Sequence, residues 1–232
     1  MAWTMLFWDI DGTLLSTARA GILAWEQAVA EASGVACDLS GFATAGLTDH
    51  EIAEALHQHH GIDRGTSPGA LVHRYEALLP EKLPQRSGSV LPGVWEILSA
   101  VSRHPTIRQT LLTGNTLAGA RTKLSHYGLI DFFPLGGAFS DDAPTRPGIA
   151  QVALARARGL LGDGDFTSVV IGDTPLDVRC ARSIGAYPVA VATGPYGVAA
   201  FEAEHPWWTI DRLPDPGTFF SQLESLGPTV TP

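Results

Sequence analysis

The sequence predicts an α/β protein: a parallel, doubly wound sheet covered by helices on both faces, with an all-helical segment inserted after the first strand. Three observations predict it. The chain opens on a short apolar strand, helix-like stretches follow with no strand between them as far as residue 87, and from Val94 onward strands and helices alternate. Strands bounded by helices at that spacing build parallel sheets buried on both faces.

In order, Thr4 to Trp8 is an apolar run of strand length followed by a turn, and a helical pattern runs from Ala18 to Ala32, ending at Gly34. Further helical stretches cover Asp49 to His60 and Pro68 to Leu79; the segment from Pro84 to Gly93 then changes the rhythm. Val94 to Ser102 reads as a helix, Ile107 to Leu112 as a strand, Leu117 to Tyr127 as a helix, and Leu135 to Phe139 contains a short strand. A helix from Ile149 to Leu161, a strand from Ser168 to Ile171 and a helix from Leu176 to Ile184 follow. Last come a strand from Pro188 to Ala192, an apolar segment at Trp207 to Ile210 and a helix from Gly217 to Leu226. The first strand belongs to the later sheet, so residues 1–15 and 88–232 form a core and residues 16–87 an insertion. The tail, Gly227 to Pro232, is expected to lack regular structure.

A chain of 232 residues, 45% hydrophobic and 17% charged, can bury a full core. Its formal charge of -9 argues against nucleic acid or an anionic membrane as partner, since both require clustered Lys and Arg. The basic residues are nearly all Arg, with Lys82 and Lys123 the only lysines. Two distant cysteines, Cys37 and Cys180, form neither a disulfide framework nor a zinc spacing; they read as buried apolar side chains in a reducing, cytoplasmic setting. The amino terminus lacks the pattern of a signal peptide, and no apolar run reaches the ~18 residues of a membrane span.

In a doubly wound sheet, ligands bind beyond the carboxyl ends of the strands. Three strand ends carry suitable groups. Asp9 and Asp11 follow the first strand, and alternation along an extended chain points both the same way. Such a pair can hold a metal and attack phosphorus, although Asp11-Gly12 is equally a hairpin-turn signal. Thr113-Gly114-Asn115 follows the strand ending at Leu112; Asn115 or Thr116 suits a helix N-cap, while Gly114 would let backbone amides approach an oxyanion. Thr174-Pro175-Leu176-Asp177 reads as a capping box, which explains Asp177 but leaves Asp173 as an acid whose natural partner is a metal. Arg146 sits just before a helix, where the dipole favours an anion nearby; the alternative is a solvated loop arginine. His57, His59 and His60 read as a solvated polar face, and Lys123 as a solvated lysine in mid-helix.

With these residues in this order, nearly the whole chain resembles the haloacid dehalogenase-like superfamily. Asp9-Ile10-Asp11-Gly12-Thr13 is similar to its first motif, Thr113 to its second, Arg146 to its third, and Gly172-Asp173 through Asp177 to its fourth. Leu91-Pro92-Gly93-Val94, Tyr127-Gly128-Leu129 and Thr193-Gly194 are also similar to phosphoglycolate phosphatase-like members. Two positions depart from the pattern: Arg146 stands where Lys is more common, and Trp8 where Phe usually precedes the nucleophile.

The resemblance implies a Rossmann-like core, a helical cap of the type-one kind at residues 16–87, and a Mg²⁺-dependent phosphatase acting on a small phosphorylated metabolite as monomer or homodimer. It makes Asp9 the nucleophile and Asp11 the acid/base. Mg²⁺ is expected on the Asp9 carboxylate, the Asp11 main-chain carbonyl and the Asp173 carboxylate, with Asp177 behind them. Thr113, Gly114, Asn115 and Arg146 are expected to bind phosphate, and Thr48, Asp49 and His50 of the cap to meet the leaving group. Asp11 separates the reaction types, because dehalogenase and phosphonate-cleaving relatives lack an acid there. A β-phosphoglucomutase-type enzyme would share the core residues, but its cap places an Arg near the site, and Gly46 to His50 contain none. A non-catalytic binding module would have lost a nucleophile or a metal acid; this chain retains them.

Overall fold

The computed structural model describes residues 3–62, 65–162, 164–227 and 229. Six parallel strands form one sheet: β1 (Trp3–Trp8), β4 (Ile107–Leu112), β5 (Gly137–Ala138), β6 (Phe166–Gly172), β7 (Tyr187–Val191) and β8 (Trp208–Ile210). Their spatial order is β5-β4-β1-β6-β7-β8, which makes the core Rossmann-like. The chain leaves β1 for β4 and β5 on one side, then returns to lay β6 on the other. A crevice therefore opens beyond the carboxyl end of β1.

Side-chain alternation along β1 assigns the two faces. Leu6 and Trp8 pack with α4 (Val94–Ser102), α5 (Leu117–His126) and α8 (Pro216–Glu224), whereas Met5 and Phe7 pack with α6 (Arg146–Leu161) and α7 (Pro175–Ser183). Trp8 is fully buried and stacks on Phe219, with ring centroids 6.2 Å apart. A Trp before Asp9 thus fills the space between the sheet and α8.

Helices α1 (Ala20–Ser33), α2 (Asp49–His59) and α3 (Pro68–Lys82) enclose a separate apolar cluster centred on Trp25 and Tyr75, whose rings stack 4.2 Å apart. Helix α3 continues past the expected end at Leu79. Pro80 lies in its last turn, exposed, and the buried Leu83 anchors the short 3-10 turn Leu83–Gln85. A two-stranded antiparallel ribbon that the sequence did not suggest, β2 (Leu15–Ser16) with β3 (Ser89–Val90), lies where the chain enters and leaves this helical unit.

Several local expectations change. Asp11-Gly12 opens a turn but no hairpin on β1, which is hydrogen-bonded on both sides by parallel strands. Gly12 adopts φ 80°, its N–H donates to Leu15 O at 2.8 Å, and the next strand, β2, pairs with β3 instead. Arg146 lies in the first turn of α6, with Thr145 as N-cap, rather than in the preceding loop. Cys180 is buried but Cys37 only partly, its Sγ lying 3.5 Å from His60 Nε2. His57 and His60 are partly buried, and His57 is bonded to Thr66 O. In the tail, Gly227 O and Thr229 hydrogen-bond to β6, while residues 228 and 230–232 lie outside the described residues. No described helix is long and apolar enough to cross a membrane.

Candidate active site

The crevice beyond β1 is a cleft of about 390 Å³ between the sheet and the helical unit. Asp9, Asp11, Gly114, Asn115, Arg146 and Asp173 all border it. Asp9 is buried one residue past β1, its main-chain N–H donating to Ile171 O of β6 at 3.0 Å. Oxygen atoms of Asp9, Asp173 and Asp177 lie within 4.8 Å of one another. Three buried carboxylates that close destabilise each other as anions. Burial, then the charge of Asp177, pushes the Asp9 carboxyl up to about 7, with Arg146 and Thr113 partly offsetting them. Burial and the charges of Asp9 and Asp177 push Asp173 up to about 9. A donor set made only of oxygens, whose mutual repulsion Arg146 offsets only in part, suits a hard divalent cation.

Glycines make the room for this cluster. A Cβ on Gly194 would fall 1.7 Å from Asp173 Oδ2, and one on Gly12 would fall 2.2 Å from the same atom. Thr13 Oγ1 donates to Asp173 Oδ1 at 3.2 Å. Asp177 serves two purposes: it completes the capping box of α7 with Thr174, and its Oδ1 lies 2.9 Å from Arg146 Nη2. The same nitrogen lies 3.5 Å from Asp9 Oδ1, and Arg146 Nη1 donates to Gly46 O at 3.3 Å. The guanidinium is thus a buried bridge between two acids, not a solvated loop side chain.

Asp11 points elsewhere. Its Oδ2 accepts from Asn115 Nδ2 at 2.9 Å and from Lys123 Nζ at 2.6 Å, so its carboxylate lies outside the three-acid group. Lys123 corrects the expectation of a surface lysine: it is 4% exposed. It shares the inward face of α5 with Gly119, Ala120 and Leu124, a position that helical spacing from these residues marks. Burial alone would lower its pKa, but the charge of Asp11 above all, with Tyr75 and Asp49 nearby, raises it well above the usual lysine range.

The loop before α5 decides between the two candidate caps. Thr116, not Asn115, is the N-cap, and Thr113 Oγ1 accepts from Asn115 Nδ2 at 2.8 Å. Gly114 is required by the helical unit, since a Cβ there would fall 2.7 Å from Leu47 O. Asp49 N–H donates to Gly114 O at 2.8 Å, and Asp49 Oδ2 accepts from Thr116 N–H at 2.8 Å. Of the three residues expected to meet a leaving group, Asp49 borders the cleft; Thr48 caps α2, and the exposed His50 lies 3.2 Å from Ser140 Oγ. The remaining wall, unread from sequence, includes Arg19, Ile22, Trp25 and Tyr75.

Against known proteins, residues 6–182 match the family described as haloacid dehalogenase-like hydrolase. The chain is 29% identical over 212 residues to the probable phosphatase IndB of Dickeya dadantii (strain 3937), covering 90% of each chain. Its fold is similar to that of a predicted phosphatase from Clostridium acetobutylicum (TM-score 0.73, 15% identity, 97% of this chain and 100% of that one). It is also similar to CbbY from Rhodobacter sphaeroides in complex with phosphate (TM-score 0.72, 16% identity, 91% of this chain and 95% of that one). With a family match spanning most of its length, the chain belongs to the haloacid dehalogenase-like hydrolases.

Proposed function

We propose that this enzyme is a Mg²⁺-dependent phosphatase that hydrolyses a small phosphorylated metabolite, phosphoglycolate-like or a sugar phosphate, through an aspartyl-phosphate on Asp9. The observation that carries the reading is the grouping of Asp9 with two other buried acids, bridged by Arg146, at the mouth of the central strand. An Asp9 carboxylate oxygen attacks phosphorus and the ester oxygen leaves, taking a proton from Asp11. Asp11 then removes a proton from the water that cleaves the acyl phosphate. Arg146, Thr113 and the backbone at Gly114 and Asn115 hold the other phosphoryl oxygens. The Asp9 and Asp173 carboxylates and the Asp11 carbonyl would hold Mg²⁺, which would supply positive charge to neutralise the acids and to polarise a phosphoryl oxygen. Uncatalysed phosphate-monoester hydrolysis is slow enough that enzymes supply up to about 10²¹-fold, chiefly by electrostatic preorganisation of this kind.

The domain assignment supports the same reading: residues 16–87 act as a cap that closes the cleft and excludes water. The free Cys37 and Cys180 suit a reducing, cytoplasmic setting.

The test is release of inorganic phosphate, with Mg²⁺, from p-nitrophenyl phosphate and a panel of phosphorylated metabolites. Asp9→Asn should abolish it, and undiminished turnover would remove Asp9 from the mechanism. Asp11→Ala should slow acyl-phosphate breakdown more than it weakens Mg²⁺ binding. A sugar-phosphate substrate isomerised without phosphate release would indicate a mutase instead.

A further inference from the structure

A buried ammonium needs a reason, because burying charge is costly unless it is fully paired, and an apolar residue of similar size is often at least as stable. Lys123 sits among Ala120 and Leu124 on the inward face of α5, where an apolar side chain would pack readily. Its bonds run to the cleft instead. Nζ donates to Asp11 Oδ2 at 2.6 Å and to Asn115 Oδ1 at 2.5 Å. Asn115 Nδ2 donates to the same Asp11 oxygen at 2.9 Å and to Thr113 Oγ1 at 2.8 Å. One carboxylate oxygen of Asp11 is therefore held by two donors, and among the described residues no hydrogen bond engages the other. The Asp11 side chain is 41% exposed and borders the cleft, so it does not need Lys123 in order to be solvated.

Two residues of the helical unit share the cleft with Lys123. Asp49, the first residue of α2, bears on Lys123 by charge, and the neutral phenol of Tyr75 of α3 borders the same cleft; a Cβ on Gly119, one turn before Lys123, would lie 3.4 Å from Asp49 Oδ2 and 3.7 Å from Tyr75 Cε1. Asp49 is itself tied to the core through Gly114 O and Thr116 N–H. Lys123 thus connects the proposed acid/base of the core to two helices of the unit that covers it.

We propose that Lys123 is a positioning residue for Asp11: with Asn115 it clamps one carboxylate oxygen so that the other faces the leaving group, and Asp49 and Tyr75 complete the clamp only when α2 and α3 lie over the core. The inference rests on reading Asp11 as the acid that protonates the leaving oxygen. A mispositioned acid penalises poor leaving groups more than good ones, because nitrophenolate departs without a proton whereas a more basic phenolate requires one. A merely structural lysine would affect both alike.

The experiment compares kcat/KM, which reports transfer to Asp9, for p-nitrophenyl phosphate and phenyl phosphate in the wild type, Lys123→Met and Asp11→Asn. For Lys123→Met the loss on phenyl phosphate should exceed that on p-nitrophenyl phosphate by about tenfold or more, within the range of general acid catalysis. Tyr75→Phe should shift the ratio in the same direction by less. Should Lys123→Met fail to accumulate as folded protein, Lys123→Gln carries the same comparison. If Asp11→Asn is selective for phenyl phosphate and the Lys123 variants lose both activities equally, the role of Lys123 is overturned and that of Asp11 stands. If Asp11→Asn shows no selectivity, the reading of Asp11 fails and the inference fails with it.

Discussion

Replacing Asp49 with Asn should make the metal-free protein more stable at neutral pH while leaving it unchanged in acid. Asp49 is 5% exposed, and burial pushes its carboxyl from 3.8 up to about 6, even though Lys123 and the Thr116 N–H pull the other way. The folded state therefore holds this proton more tightly than the unfolded chain does. Stability is unaffected below the unfolded value, falls as pH rises from about 4 to 6, and stays reduced above that. At about 1.4 kcal/mol per pH unit, the ionised side chain costs the native state about 3 kcal/mol near pH 7.5. Asn resembles the protonated acid, and its carbonyl can still accept from Thr116 N–H. Asp49→Asn should therefore gain about 3 kcal/mol near pH 7.5 and almost nothing near pH 4, measured by urea unfolding across that range. A destabilised variant at pH 7.5, or a difference that does not change with pH, would refute the reasoning. Lower turnover in the stabilised variant would mark a residue kept for activity at the expense of stability.

Substitutions at two further positions probe the acid cluster. Gly194→Ala places a methyl where Asp173 Oδ2 now lies, 1.7 Å away, so the carboxylate must swing aside; Mg²⁺ affinity by calorimetry should fall about tenfold or more, as when a ligand's support is lost. Arg146→Lys keeps the charge but loses the fork that reaches Asp9, Asp177 and Gly46 O together. Its kcat/KM should fall about tenfold, and that of Arg146→Met further, since only the latter leaves two buried acids without a cation; equal values for the two would show that charge at this position is immaterial.

The sheet was legible because its strands are continuous apolar runs between helices, the pattern a doubly covered sheet imposes. Asp9, Thr113 and Asp173 were locatable for the same reason: each follows the last residues of such a run. The features that escaped depend on docking between distant segments. Lys123 reads as a surface residue because charge usually is exposed, and only its spacing from Gly119 and Ala120 points to the inward face of α5. Gly114 reads in sequence as room for an anion; its lack of a side chain also lets Leu47 O pack against the core, a second demand that only docking reveals. Thr48 and Asp49 are neighbours in sequence, yet one side chain caps its own helix and the other reaches across to Thr116, a difference set by tertiary contact alone.

The ribbon of Leu15–Ser16 with Ser89–Val90 has a consequence for folding and for change over time. It brings the two ends of the intervening segment side by side, so the sheet sees the helical unit as a single short connection, whatever its length. Entropy of closing a loop grows only as the logarithm of its length. Elements of almost any size could therefore be exchanged at this junction without disturbing the register of β1 against its neighbours. On the proposed reading of that unit as a cap, its replacement would alter specificity while the core and its acid cluster stay in place.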